Sequence, residues 1–317
     1  MAFFYEVYGL KLKSDLELPE LIPIDANVVD VIITLDKVPQ SLPGSKAYGA
    51  WAEYESSRCL FRIQGVARFL IEHGRSICVE PYRSDNSEDG LAAPIADVRL
   101  YLLGSALAAV LHQRSLIPLH VSAVSADNGV WAFTGPSGAG KSTLAGWLSQ
   151  CVGLPLVSDD VSVVECRDGD VRLLPGPRKL KLWHDAIGFL DIPQGRLVQD
   201  LSNTPKFQLY LRDEVPEAEP QLSGLVFLER AEPGELASLT AVTGIDRFRY
   251  MCRAVYRHYM AVWFRSKAGY VKDIFELTDR VPVYRLRRPW SLEQLGQPDN
   301  PLWSLLQLKA TQENVVR

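Results

Sequence analysis

Along the first 82 residues, apolar and polar positions alternate in short runs at 28–35, 50–54, 59–63, 66–71 and 76–80. A period of two puts one face of an extended chain into a core, so each run predicts a half-buried strand. Turn signals such as Leu42-Pro43-Gly44 and His73-Gly74 separate the runs, and residues 1–90 are expected to form a smaller, mostly antiparallel β domain. The polar, turn-rich tract 83–90 sets the expected boundary near residue 90. Pro94 suits the first turn of a helix reaching about Gln113. Its apolar stretch, Leu100 to Leu111, is broken by Gly104 and Ser105 and falls short of the roughly 20 residues of a membrane span, so a buried helix is expected.

From residue 91 to 317 the periodicity switches repeatedly between two and 3.6. Strands are expected near 118–125, 130–134, 155–158, 161–165, 171–174, 222–229 and 281–286, and helices near 142–150, 244–259 and 268–278. That mixture predicts an α/β domain with a mixed sheet. No internal repeat and no low-complexity tract interrupts it.

One segment carries unmistakable chemistry. Gly135-Pro136-Ser137-Gly138-Ala139-Gly140-Lys141-Ser142 satisfies a complete phosphate-binding loop, with Thr143 opening the following helix and the apolar strand 130–134 leading in. The glycines let successive backbone N–H groups curl toward phosphate oxygens, and the positive end of the helix adds attraction for anions. Lys141 is expected on the β and γ phosphates, and the Ser142 hydroxyl on Mg2+.

Asp159 and Asp160 follow the apolar run 154–158. A right-handed crossover would lay that strand parallel to strand 130–134, so the two carboxylates emerge at the loop's edge of the sheet. One of them can support Mg2+ beside Ser142. Neighbouring strand residues point to opposite sides, which frees the other. His120 enters through register. Asp127-Asn128-Gly129-Val130 predicts a hairpin with Asn128 and Gly129 as turn residues, pairing Val124 with Phe133 and His120 with Ser137. A histidine beside the loop can hydrogen-bond a carboxylate or a transferred phosphoryl group, or serve structure alone.

Composition narrows the partners. The 317 residues are 47% hydrophobic and 23% charged, as in a soluble globular protein, and the formal net charge of -4 argues against a nucleic-acid partner. Five cysteines at 59, 78, 151, 166 and 252 are scattered and form no Cys-x-x-Cys pair, which fits free thiols rather than a disulfide framework or zinc site. The first residues lack a basic leader and an uninterrupted apolar core, so a cytoplasmic protein with no membrane partner is expected.

With His120, the hairpin, Thr134 to Ser142 and then Val157-Ser158-Asp159-Asp160-Val161 in this order, residues 95–290 resemble the catalytic domain of HPr kinase/phosphorylase. The segments Arg178 to Ile187 and Val281 to Arg288 look like HPr-kinase-related proteins of bacterial peptide-modification pathways, some of which phosphorylate the C-terminal serine of lasso-peptide precursors. The resemblance implies a P-loop kinase domain with a mixed β-sheet of the HPr kinase/phosphoenolpyruvate carboxykinase type. It implies ATP and Mg2+ as cofactors. It further implies Asp159 as the base that takes a serine proton, tuned by His120 and the like charge of Asp160, and leaves Asp160 with Ser142 for Mg2+. Thr143 departs from the acidic residue that the bifunctional HPr enzymes carry there, and Pro175 to Lys179 echoes their later glycine-rich signature only faintly.

The leading expectation is an ATP-dependent serine kinase acting on a peptide or small protein, with the β domain as a substrate-recognition module. Alternatives are a nucleotide-binding regulatory module without phosphotransfer, HPr itself as substrate, and a small-metabolite kinase. The oligomeric state stays open, a homo-oligomer included. Secondary candidates are the basic stripe Arg249, Arg253 and Arg257 on helix 244–259, and Arg178, Lys179, Lys181 and Lys206, each equally explained as a charged surface.

Overall fold

The structure is a computed structural model. It describes residues 2–84, 90–167, 169–177, 179–193, 195, 197–199, 206–210, 221–232, 234–291 and 293–308; Arg178 lies outside these. The chain divides into two units, the first chiefly Met1–Pro118 with Arg257–Tyr270, the second chiefly Leu119–Val198, Lys206–Tyr256 and the chain from Val271 onward. The first unit thus continues past residue 90, where the polar tract suggested a break.

In the first unit the alternating runs do become strands of one sheet. Its order is Ile22–Pro23, Phe3–Val7, Leu10–Ser14, Val31–Leu35, Ser76–Pro81, Ala67–Glu72, Arg58–Ile63, Ala52–Tyr54 and Lys46–Tyr48. Neighbours are antiparallel except around Val31–Leu35, which runs parallel to the strands on both sides. Alternation is clean in Ala67–Glu72, where Ala67, Phe69 and Ile71 are buried and the residues between them are not. The helix expected after Pro94 runs from Ile95 to Gln113 with a π-helical turn at Leu102–Ala106. Gly104 and Ser105 sit in that turn, where small residues ease the wider winding. By length and composition this helix could cross a membrane, but 67% of its most apolar window is buried within the protein, as in a core helix.

The helix expected over 244–259 is split. It runs as Gly244–Ala254, breaks, and resumes as His258–Phe264. Arg257 at the restart has a left-handed backbone, φ +48°. The second piece belongs to the first unit, where Trp263 stacks on Tyr54 at 4.3 Å and Tyr259 on Tyr48 at 4.8 Å between ring centroids. Aromatic stacking outweighs the small helix preference of the intervening residues. The predicted basic stripe is therefore not continuous.

The second unit is built on a six-stranded mixed sheet ordered Leu156–Ser158, Ser122–Ala126, Gly129–Thr134, Leu222–Arg230, Val283–Arg288 and Ser238–Val242. The middle three run parallel. Leu156–Ser158 has the direction expected relative to Gly129–Thr134, but Ser122–Ala126 lies between them, antiparallel to both. A second hairpin-like pair, Lys179–Trp183 with Lys206–Tyr210, was not expected from periodicity. Helix Lys141–Gln150 packs so closely on it that a Cβ at Gly146 would lie 2.9 Å from Leu180 Cδ2. Phe133, Leu144, Trp147, Leu148, Leu180, Leu182 and Leu228 form the shared core, each buried and each stabilising by about 1.5–3 kcal/mol relative to exposure.

The hairpin register corrects the sequence reading by two residues. Ala126 faces Gly129 and Ser122 faces Phe133, so Asp127 and Asn128 are the turn residues. Long-range contacts set this. Asn128 accepts from Trp131 Nε1 at 2.8 Å and donates to the Leu305 carbonyl at 3.0 Å. Gly129, at φ +105°, is required where the chain passes Ser223, whose hydroxyl donates to the Asn128 carbonyl at 2.7 Å. A Cβ there would collide with Ser223 Oγ. Gly129→Ala should therefore destabilise the protein by about 1–3 kcal/mol in urea unfolding, and adding Ser223→Ala should recover the steric part only.

Candidate functional site

Gly129–Thr134 ends at the phosphate loop. Gly135, Gly138 and Gly140 have φ of +149°, +80° and +78°, backbone that other residues rarely adopt. Space is restricted as well, since a Cβ on Gly135 would lie 2.8 Å from the Leu228 carbonyl and one on Gly140 2.9 Å from Arg288 Nη2. The loop closes with the Ala139 amide donating to the Pro136 carbonyl at 3.1 Å, and the helix begins with Leu144 donating to Gly140 at 2.8 Å. Pro136, Ser137 and Gly138 are exposed, Ala139 and Lys141 buried, Ser142 and Thr143 half-buried. The Lys141 ammonium donates to the carbonyls of Gly135 and Pro136 at 3.1 and 3.2 Å.

Asp159 and Asp160 lie just past the end of strand Leu156–Ser158, in a turn. Strand alternation therefore does not govern them. Asp160 has φ +74°, a strained geometry that aspartate tolerates better than most residues and that functional sites tend to retain. Its consequence is a division of surroundings. Asp159 is 2% exposed and accepts from Ser122 Oγ at 2.5 Å and from the Lys181 amide at 2.8 Å; the Ser142 hydroxyl also hydrogen-bonds it. Asp160 is more open, its Oδ2 2.7 Å from the Lys181 ammonium and its Oδ1 3.6 Å from His120 Nε2.

His120 sits between strands rather than opposite Ser137. Its amide donates to the Ala254 carbonyl at 2.7 Å, and its carbonyl accepts from Thr134 Oγ1 at 2.9 Å. The ring meets Tyr256 edge to face at 5.7 Å. His120 precedes the paired strand, and its backbone bonds to Ala254 and Thr134 hold it beside the carboxylates.

Protein-family models give no match to the chain, and no curated protein matches it. Solved structures that resemble it include the Hpr(Ser) kinase/phosphatase from Coxiella burnetii, 10% identical, covering 60% of this chain and 92% of that one with a TM-score of 0.26.

Burial pushes the Asp159 carboxyl above its ordinary value, and the charge of Asp160 adds to this against the hydrogen bonds from Ser122, Lys181 and Ser142. Two contributors escaped the sequence reading. Ser122 stands two residues before Val124 on the same strand and could have been placed by alternation. Arg288 could not, because its significance is its approach to Gly140; it is 6% exposed, burial pushes it down to about 10, and its Nε has no hydrogen-bond partner. The lesser candidates divide. Lys181 joins the site, Lys179 is buried in the neighbouring strand, Arg249 pairs with Asp246 on the surface and Arg253 lies over the Phe227 ring at 4.6 Å. Arg257 donates to Tyr259 in the first unit.

The Ser142 hydroxyl beside the Asp159 carboxylate is an oxygen pair suited to Mg2+, which takes few protein ligands and the rest from phosphate and water. Folding holds on Asp159 a proton that the unfolded chain releases near 3.8. Its contribution to stability is complete below that value and is lost as pH rises through the higher folded value. Denaturation midpoints of the free protein should fall more steeply over that window in wild type than in Asp159→Asn.

Proposed function

We propose that the protein is an ATP-dependent kinase that transfers the γ-phosphoryl group to a serine hydroxyl of a peptide or small protein. The observation that carries this is the more open carboxylate, Asp160, flanked by His120 and Lys181 and immediately beside a second, buried carboxylate on a complete phosphate loop. Nucleotide binding by itself requires one acidic residue. The second, with a histidine and a lysine on it, is the equipment for handling a proton.

In this reading the two aspartates exchange the roles that the family resemblance implied. Asp159, bonded to Ser142, supports the magnesium side, where a bound Mg2+ supplies charge neutralisation on the β and γ phosphates. Asp160 is the base. The serine oxygen attacks the γ phosphorus as its proton passes to an Asp160 oxygen, the new O–P bond forms, and the bond to the β-phosphate oxygen breaks with its electron pair leaving on ADP. His120 orients the carboxylate from one side. Lys181, released from its ion pair, is placed to meet charge developing on the transferred group, while Lys141 holds the β and γ phosphates. A precursor peptide ending in serine is the acceptor class proposed, with recognition assigned to the β-rich first unit.

The test supplies Mg2+, γ-labelled ATP and peptides ending in serine. Label should appear on serine and fall by about 100-fold or more in Asp160→Asn with ATP binding kept. Asp159→Asn should instead lose the Mg2+-dependent part of ATP binding, and Lys141→Ala should weaken ATP binding itself. Tight ATP binding with no labelled serine in peptides or in HPr would replace the kinase with a nucleotide-sensing module.

A further inference from the structure

The strands Gly129–Thr134, Leu222–Arg230 and Val283–Arg288 run parallel, so their carboxyl ends share one edge of the sheet. Ligands of open parallel sheets bind outside such an edge. The phosphate loop occupies the end of the first strand. At the ends of the other two lies a cleft of about 560 Å3, lined among others by Arg230, Arg288, Trp290, Gln294, Asp299 and Asn300. That volume suits a small organic ligand.

Arg288 joins the two places. Its Nη2 approaches Gly140 of the loop, and the same side chain walls the cleft. Its Nε makes no hydrogen bond although the residue is more than nine-tenths buried, and an orphaned guanidinium donor in such a place asks for an acceptor. Two residues on, Trp290 keeps 40% of its surface exposed with the Arg230 guanidinium 5.5 Å from its ring centre. An accessible indole braced by a cation is a stacking platform for an aromatic ring. Charge sets the orientation. Glu232, Glu235 and Asp299 also line the cleft, which disfavours a triphosphate there and suits uncharged hydroxyls and a base.

We propose that this cleft is the nucleoside subsite, in which Trp290 stacks the base of the nucleotide whose phosphates lie on the loop and Arg288 bridges the two halves of the ligand. The assignment rests on the nucleotide-binding part of the function proposed above and is independent of phosphotransfer. Calorimetric titration of the full chain with ATP and, separately, with inorganic tripolyphosphate, both with Mg2+, tests it. Trp290→Ala should weaken ATP about tenfold and leave tripolyphosphate unchanged, while Trp290→Phe restores most of the ATP affinity. Arg288→Lys should weaken both ligands. Equal effects of Trp290→Ala on ATP and tripolyphosphate, or none on either, would overturn the subsite while leaving the phosphate loop in place. A wild-type chain that binds tripolyphosphate as tightly as ATP overturns it too, and one that binds neither removes the phosphate-loop reading together with it.

Discussion

A buried carboxylate with its donors around it is the constraint on which the second unit's site depends. Burying an ionised group costs several kcal/mol unless hydrogen bonds replace the lost water. Asp159 finds its replacements on three separate elements: Ser122 on one strand, Ser142 at the start of the loop's helix, and the Lys181 amide on the strand of the neighbouring small sheet. Satisfying that one group brings hairpin, phosphate loop and small sheet to a common point. The tight packing at Gly146 against Leu180 is the apolar counterpart of the same arrangement.

The adjacent residue is then forced into a different environment. With Asp159 turned inward, the left-handed backbone of Asp160 directs its carboxylate toward His120 and Lys181. Lys181 serves both carboxylates, its amide bonding one and its ammonium the other. Two like charges in consecutive positions thus acquire unlike surroundings, one buried among hydrogen-bond donors and the other open beside a histidine and a lysine.

The parallel core of the sheet carries this arrangement to its working edge. Thr134 lies opposite Phe227, and Arg230 opposite Arg288, so the loop, the arginine against it and the exposed indole beyond it follow from one shared strand direction. The first unit holds by different means, through an alternating sheet and aromatic stacks that draw in the helix His258–Phe264.

What was legible in the sequence was whatever short-range stereochemistry dictates. The spacing of Gly135, Gly138 and Gly140 before Lys141 and Ser142 has one structural meaning because each glycine takes a positive φ that side chains rarely allow, and period-two alternation announced five of the nine strands of the first unit's sheet. Tertiary structure decided the rest. Asn128-Gly129 reads locally as a turn pair, yet Ser223 and Leu305 move the turn back by one position at each side. Helix 244–259 was expected to run unbroken, yet it ends at Ala254, and the next piece, His258–Phe264, is captured by Tyr48 and Tyr54. Asp159 and Asp160 are the same residue type in adjacent positions, and only the donors arriving from Ser122, Ser142 and Lys181 distinguish them. Arg288 gains its place at the site only when folding sets it against Gly140. In each case the deciding atom is remote in sequence, and nothing in the local pattern encodes which remote atom will be there.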